Sequence, residues 1–316
     1  KAVSLYAGFY KVVVTDNASV SRELEIAELT QKPAIASTVT KTDVSCFNGN
    51  DGNITLDIIG GTGAYTVTWK DVNDTARVID PSQLKAGFYT YSISDANSCV
   101  FFGTTIEITQ PQKPLTITSF TKIDANGYGR ENGSIEIVAL DGTPAYTYQW
   151  YKGTAKTIMT GKTSPSLTGI GADFYTIIVT DKKLCTFEQT YTVIQPAKLE
   201  VVSLTQTPNT NILCKGDAAG EFTIEVTGGV KEYTFEWLNT SKTKKYTSVE
   251  VIKTNSTTST AKNLEAGNYI VTVKDQHNNE LFGTNTFTIT EPDVLAFTYV
   301  TQNVSCFQGS NGTITL

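Results

Sequence analysis

One twelve-residue pattern recurs four times and constrains the fold more than anything else in the chain. It reads Leu84-Lys-Ala-Gly-Phe-Tyr-Thr-Tyr-Ser-Ile-Ser-Asp95, and its copies run over Leu5–Asp16, Ile170–Asp181 and Leu264–Asp275. Each copy reads as a corner, an alternating strand and a turn. Gly8, Gly87 and Gly267 mark the corner, because Gly reaches positive φ without a Cβ penalty. Asp173 takes that place in the third copy and is among the few residues that tolerate the left-handed region. Two places on stand Tyr10, Tyr89, Tyr175 and Tyr269, each able to bond its hydroxyl back to the corner backbone. The closing Asp16, Asp95, Asp181 and Asp275 suit Asx-type turns, which explains four recurring acids better than catalysis does.

The tyrosines recur at spacings of 79, 86 and 94 residues, so the corner belongs to a larger repeat with local insertions. Within one unit, Ala34–Thr40 reads as a strand, Asp43–Gly52 as a turn-rich loop and Asn53–Ile59 as an alternating, half-buried strand. After Gly60-Gly-Thr-Gly63 comes Tyr65-Thr-Val-Thr-Trp69, then less regular strands near Ala76–Ile79 and Ser82–Leu84. The corner follows, and a last strand spans Val100–Thr109, closed by Gln110-Pro111. No stretch has a helical period, and strands every 8–12 residues with Gly and Pro turns indicate an all-β sandwich. A Tyr at the corner and Trp69, Trp150 and Trp237 on the third strand fit tandem immunoglobulin-like Greek-key β-sandwiches, with each Trp an ordinary core aromatic. The expected organisation is residues 1–33 as the end of one repeat, full repeats at 34–112, 113–197 and 198–293, and the first strands of another at 294–316. The boundary prolines, which cannot continue a ladder, stiffen junctions between units expected to lie end to end as a rod.

Bulk properties narrow the function. At 316 residues the chain suits two to four domains. A net charge of −6 and the lack of any Lys/Arg block argue against a nucleic-acid partner. No apolar run approaches the ~20 residues of a membrane span. Because the chain starts inside a repeat without a signal peptide, it is expected to be part of a longer protein whose targeting signals lie outside it. Five Cys, one Met and one His leave little material for metal, redox or cofactor chemistry.

Val44-Ser-Cys-Phe-Asn-Gly-Asn-Asp-Gly-Asn-Ile-Thr55 followed by Gly60-Gly-Thr-Gly-Ala-Tyr-Thr-Val-Thr-Trp69 resembles the SprB repeat of bacterial gliding-motility adhesins. Val304–Thr315 restates its first half, while the Ala-Gly-Phe-Tyr corner, Asp95-Ala-Asn-Ser-Cys99 and Ile108-Thr-Gln-Pro111 match the rest. The resemblance covers essentially the whole chain. It implies a very large cell-surface protein exported by type IX secretion in Bacteroidota-type bacteria, with gliding a narrower expectation than surface adhesion. Two places depart from the pattern: Gly127 and Asn279 stand where cysteines are due.

The expected role is a structural stalk segment whose partners are neighbouring repeats, with a surface polysaccharide or the motility and secretion machinery as further candidates. The alternative is a module that itself recognises a polysaccharide or protein. Asn48–Asn53 has a calcium-loop flavour, but the equivalent Gln308–Gly312 has no carboxylate while the closing Gly persists, so backbone geometry, and no metal, is expected there. His277, without counterparts in other units, reads as a solvated turn residue, so no catalytic group is assigned. The Lys-rich excursion Asn239–Thr260 reads as a solvated hairpin or, more sharply, a ligand-contacting loop, and Asp74-Thr-Ala76 resembles an O-glycosylation acceptor. For the cysteines, each unit has one site in its first loop (Cys46, Gly127, Cys214, Cys306) and one after the turn Asp (Cys99, Cys185, Asn279). In the sandwich these sites lie at opposite ends, too far apart for a bond within a unit. Stacking instead pairs Cys46 with Cys185 across a junction, sets Gly127 against Asn279, and leaves that second junction free to flex.

Overall fold

The structure, a computed structural model, describes residues 1–25, 28–74, 79–206, 212–241, 243–252, 256–281 and 286–316. Every regular element is a β-strand, and every strand pairing is antiparallel.

The second unit is the clearest. Thr116–Ile123, Gly133–Leu140 and Ser166–Ile170 form one sheet, with Gly133–Leu140 central. Thr157–Ile158, Thr147–Lys152, Asp173–Thr180 and Thr186–Val193 form the other, in that order. Chain order crosses between the sheets, which gives the Greek-key sandwich its two layers. Alternation does the sorting: along Asp173–Thr180 the inward Tyr175, Ile177 and Val179 are buried, as are Ile135 and Ile137 facing them. Trp150 is fully buried between the sheets, and its indole N–H donates to the Ser164 carbonyl at 2.9 Å.

The first unit repeats this with Ala36–Thr42 on Asn53–Ile59, and with Thr66–Asp71, Gly87–Ser94, Val100–Phe102 and Ile106–Ile108 opposite. The expected single strand Val100–Thr109 is broken at Gly103, where an added Cβ would sit 2.2 Å from the Tyr91 ring. The Ser82–Leu84 segment contributes a bridge from Leu84 to Gly52, and the expected strand near Ala76–Ile79 lies mostly outside the described residues. Trp69 packs against the first unit's buried cluster while only partly buried itself, its ring tilted against that of Tyr91 with centroids 5.2 Å apart.

In the third unit, Glu200–Gln206, Gly220–Thr227, Thr257–Leu264 and Ser248–Ile252 face Lys245–Tyr246, Thr234–Asn239, Gly267–Lys274 and Thr286–Ile289. The excursion at 239–260 is therefore no solvated loop throughout. Its later part enters the sheet, burying Thr257, Ser259 and Ala261, and Ser259 accepts the Trp237 indole N–H at 3.0 Å. Each of the three units has its own hydrophobic cluster. Lys11–Thr15 with Ser21–Glu25, and Val300–Gln302 with Thr313–Thr315, form exposed two-stranded pairs at the chain's two ends.

Candidate functional site

The recurring polar residues converge on the two ends of each sandwich. At the corner, the hydroxyls of Tyr10, Tyr89, Tyr175 and Tyr269 donate to the carbonyls of Tyr6, Lys85, Gly171 and Glu265, at 2.6, 3.0, 3.0 and 2.7 Å. The corner backbone differs between copies: Gly87 and Asp173 have no positive φ and open their strands, whereas Gly8 and Gly267 stand at φ 154° and 158°, which side chains rarely adopt. The space beside the ring tolerates a side chain, since a Cβ on Gly87 would lie 3.6 Å from the Tyr89 hydroxyl, an ordinary contact. That is why Asp173 fits.

The turn aspartates bind backbone on two sides. Asp181 Oδ1 accepts the amides of Lys183 and Cys185 at 2.8 and 2.9 Å, and its Oδ2 accepts the Thr143 amide at 2.8 Å. Asp95 and Asp275 repeat the set, reaching across to Thr62 and Val230. Each buried carboxylate thus ties the turn before the last strand to the loop between the second and third strands. In Asp95 the Cys99 amide, followed by that of Thr62, holds the carboxyl below its ordinary pKa. In Asp275 burial works to raise the pKa, but hydrogen bonds from the Asn279 side chain and the Val230 amide leave it lowered overall. The same loop carries a second tie: Tyr65, Tyr146 and Tyr233 donate to the carbonyls five residues upstream, at Gly60, Asp141 and Gly228. Sequence reasoning missed these, although the fixed spacing from turn to Tyr is visible in all three units.

At the opposite end lies the first loop. Asp51 Oδ1 accepts the Ser45 amide at 2.9 Å, and Asn132 and Asn311 serve the Asn126 and Ser305 amides in the same way. The persistent Gly has a packing reason: a Cβ on Gly52, Gly133 or Gly220 would come within 2.8 Å of the carbonyl of Leu84, Ile170 or Leu264. Among the described residues no group of three His, Cys, Asp or Glu is arranged to hold a metal. A further clamp comes from the residue before each boundary proline. Gln110, Gln195 and Glu291 accept the amides of Asn48, Gly129 and Gly216 at 2.8, 2.7 and 2.7 Å, fixing the first loop to the unit's C-terminal end. In sequence these residues read only as linker.

The two ends meet at the junctions. Between the first and second units the structure brings Cys46 and Cys185 together in a disulfide with Cα atoms 5.6 Å apart. Asp181, by binding the Cys185 amide, presents that cysteine, and Lys183 on the same turn exerts an attractive charge on Asp51 across the junction. Between the second and third units Gly127 faces Asn279 so closely that an added Cβ would lie 2.3 Å from the amide oxygen. That junction is not free, contrary to expectation. Asn279 Nδ2 and His277 Nδ1 donate to the Asn126 carbonyl at 3.0 and 3.1 Å. His277, expected to be merely solvated, is exposed yet bound across the junction. Cys99, Cys214 and Cys306 are free and exposed. In the excursion, Lys244 and Lys245 form exposed ion pairs with Glu265 and Glu236 at 2.7 and 3.0 Å. Lys242, and Thr75 and Ala76 of the glycosylation-like triplet, lie outside the described residues. No helix among the described residues is long and apolar enough to cross a membrane.

Similar solved structures include Drosophila OTK extracellular domains 3–5, at 11% identity over 72% of this chain and 85% of that one, with TM-score 0.27. The insect immune protein hemolin is 12% identical over 90% and 82%, TM-score 0.29, and the titin I9–I11 tandem 16% over 81% and 98%, TM-score 0.29. No curated protein matches the chain. The model of the SprB repeat matches residues 38–74, 124–155, 207–241 and 298–316, each time covering the first loop described above or part of it. The chain therefore carries four stretches that match the SprB repeat along its length.

Proposed function

We propose that the chain is a structural stalk segment of a large bacterial cell-surface adhesin, each SprB repeat forming one sandwich within the boundaries given above. In this reading the segment serves surface attachment and gliding motility, and the protein reaches the surface by type IX secretion. One observation carries it. At two successive junctions, equivalent positions of neighbouring units touch, once through Cys46 and Cys185 and once through Asn126 with His277 and Asn279. The recurring polar side chains are turned to backbone ties that hold those junction loops, which is what a load-bearing array requires. A glycan array and a pull-down with the whole chain test the reading: no saturable binding is expected. Tight, saturable binding to a glycan or protein would favour a recognition module instead.

A further inference from the structure

We propose that the Cys46–Cys185 bond is a tension shunt: when the array is pulled along its length, the load bypasses most of two units. The connectivity forces this. The bond closes a covalent loop with a sequence separation of 139 residues. Inside that loop lie all strands from Asn53–Ile59 to Ile106–Ile108 and all from Thr116–Ile123 to Asp173–Thr180, together with the linker around Pro111. Tension entering before Ala36 reaches Cys46, crosses the sulfur pair, and leaves through the segment after Cys185. Nothing between the two cysteines is stretched.

Only Ala36–Thr42 of the first unit and Thr186–Val193 of the second remain on the loaded path. Both ends of each strand lie on that path, while their ladder partners lie inside the covalent loop. Ala36 to Thr42 pair in unbroken register with Ile59 to Asn53, and Lys41 Nζ adds a bond to the Glu107 carbonyl at 2.6 Å. Asp173 to Thr180 pair likewise with Val193 to Thr186. Because the partner strands carry no opposing pull, tension runs along each strand and across the sulfur pair without shearing its ladder. The third unit has no such protection from its neighbour, because Gly127 and Asn279 replace the cysteines and leave only hydrogen bonds. The array therefore alternates a covalently limited pair with a unit that can yield and release its full length. The value of this device rests on the stalk reading above, but the force measurement does not, so the two can fail separately.

The test stretches single molecules of the 316-residue chain from its two termini. It compares the wild type with the Cys46→Ser/Cys185→Ser double variant. At about 3.3–3.6 Å per extended residue, the shunted loop hides about 460–500 Å of contour, so the wild type is expected to end shorter by that amount. Should the double variant fold poorly, the same tethered wild-type molecules are exposed to excess dithiothreitol. It delivers two electrons and two protons to the disulfide, yielding two thiols, and leaves as its cyclic disulfide; the hidden length should then appear. Equal final lengths before and after reduction, or in variant and wild type, would overturn the proposal.

Discussion

Replacing Asp275 by Asn keeps size and shape but removes an acceptor at the point where the third unit ties its last turn to a neighbouring loop. Four donors meet this carboxylate: the amides of His277 at 3.0 Å and Asn279 at 2.8 Å on Oδ1, and the Val230 amide at 2.9 Å with Asn279 Nδ2 at 2.8 Å on Oδ2. Only one oxygen survives in Asn, and its amide group would face two donors with a donor of its own. At about 1–3 kcal/mol for each of the two stranded groups, the expected loss is about 2–6 kcal/mol. For a domain of this size, a loss near 3 kcal/mol corresponds to a Tm lower by about 12–24 °C. Hydrogen exchange read by mass spectrometry on the whole chain localises the effect. The amides of Gly267–Lys274 should lose that protection, while those of Asp173–Thr180 in the second unit should not change. A loss below about 1 kcal/mol in the third unit would refute the reasoning, because it would mean that these donors find water or other partners at no penalty.

Further consequences concern acid, packing and the second junction. Asp95 and Asp275 have folded-state pKa values below the ordinary carboxylate value, so their stabilisation is complete above that value and is lost as pH falls through the folded ones. Urea midpoints should stay level from about pH 7 to 5 and fall below about pH 4; a level profile down to about pH 2 would contradict this. Gly52→Ala places a Cβ 2.8 Å from the Leu84 carbonyl and should destabilise the first unit by about 1–3 kcal/mol in urea unfolding. Gly63→Ala, with nothing within 4 Å, should be close to neutral. Gly127→Cys combined with Asn279→Cys should form a second disulfide, visible as a linked peptide without reductant. Two free thiols in that variant would show that the second junction is not built like the first.

The sequence made the repeat legible wherever a side chain has only one sensible partner. A Tyr two places after a corner, or an Asp opening a turn, has its hydrogen bond fixed by local geometry, and Tyr175 and Asp181 bind backbone as their position suggests. Residues whose partner is distant in sequence were opaque. Gln110 reads as linker because its partner, the Asn48 amide, is 62 positions away. His277 is an exposed turn residue as its sequence suggests, but its bond across the junction is hidden for the same reason: Asn126 lies in another unit. The corner glycines are legible only in part: Gly8 and Gly267 have positive φ as expected, whereas Gly87 does not and would accept a Cβ at ordinary contact distance from Tyr89. Trp69 shows the limit of equivalence. It holds the same place as Trp150, yet its surroundings leave it partly exposed while Trp150 is fully buried.

Successive repeats are tied across their junctions, the first loop of one unit to the last turn of the next. Non-reducing peptide mapping of the chain, isolated oxidised with free thiols alkylated beforehand, tests this most directly. One linked peptide joining Cys46 to Cys185 is expected, with Cys99, Cys214 and Cys306 alkylated. A peptide joining Cys46 to Cys99, or alkylation of both Cys46 and Cys185, would contradict it.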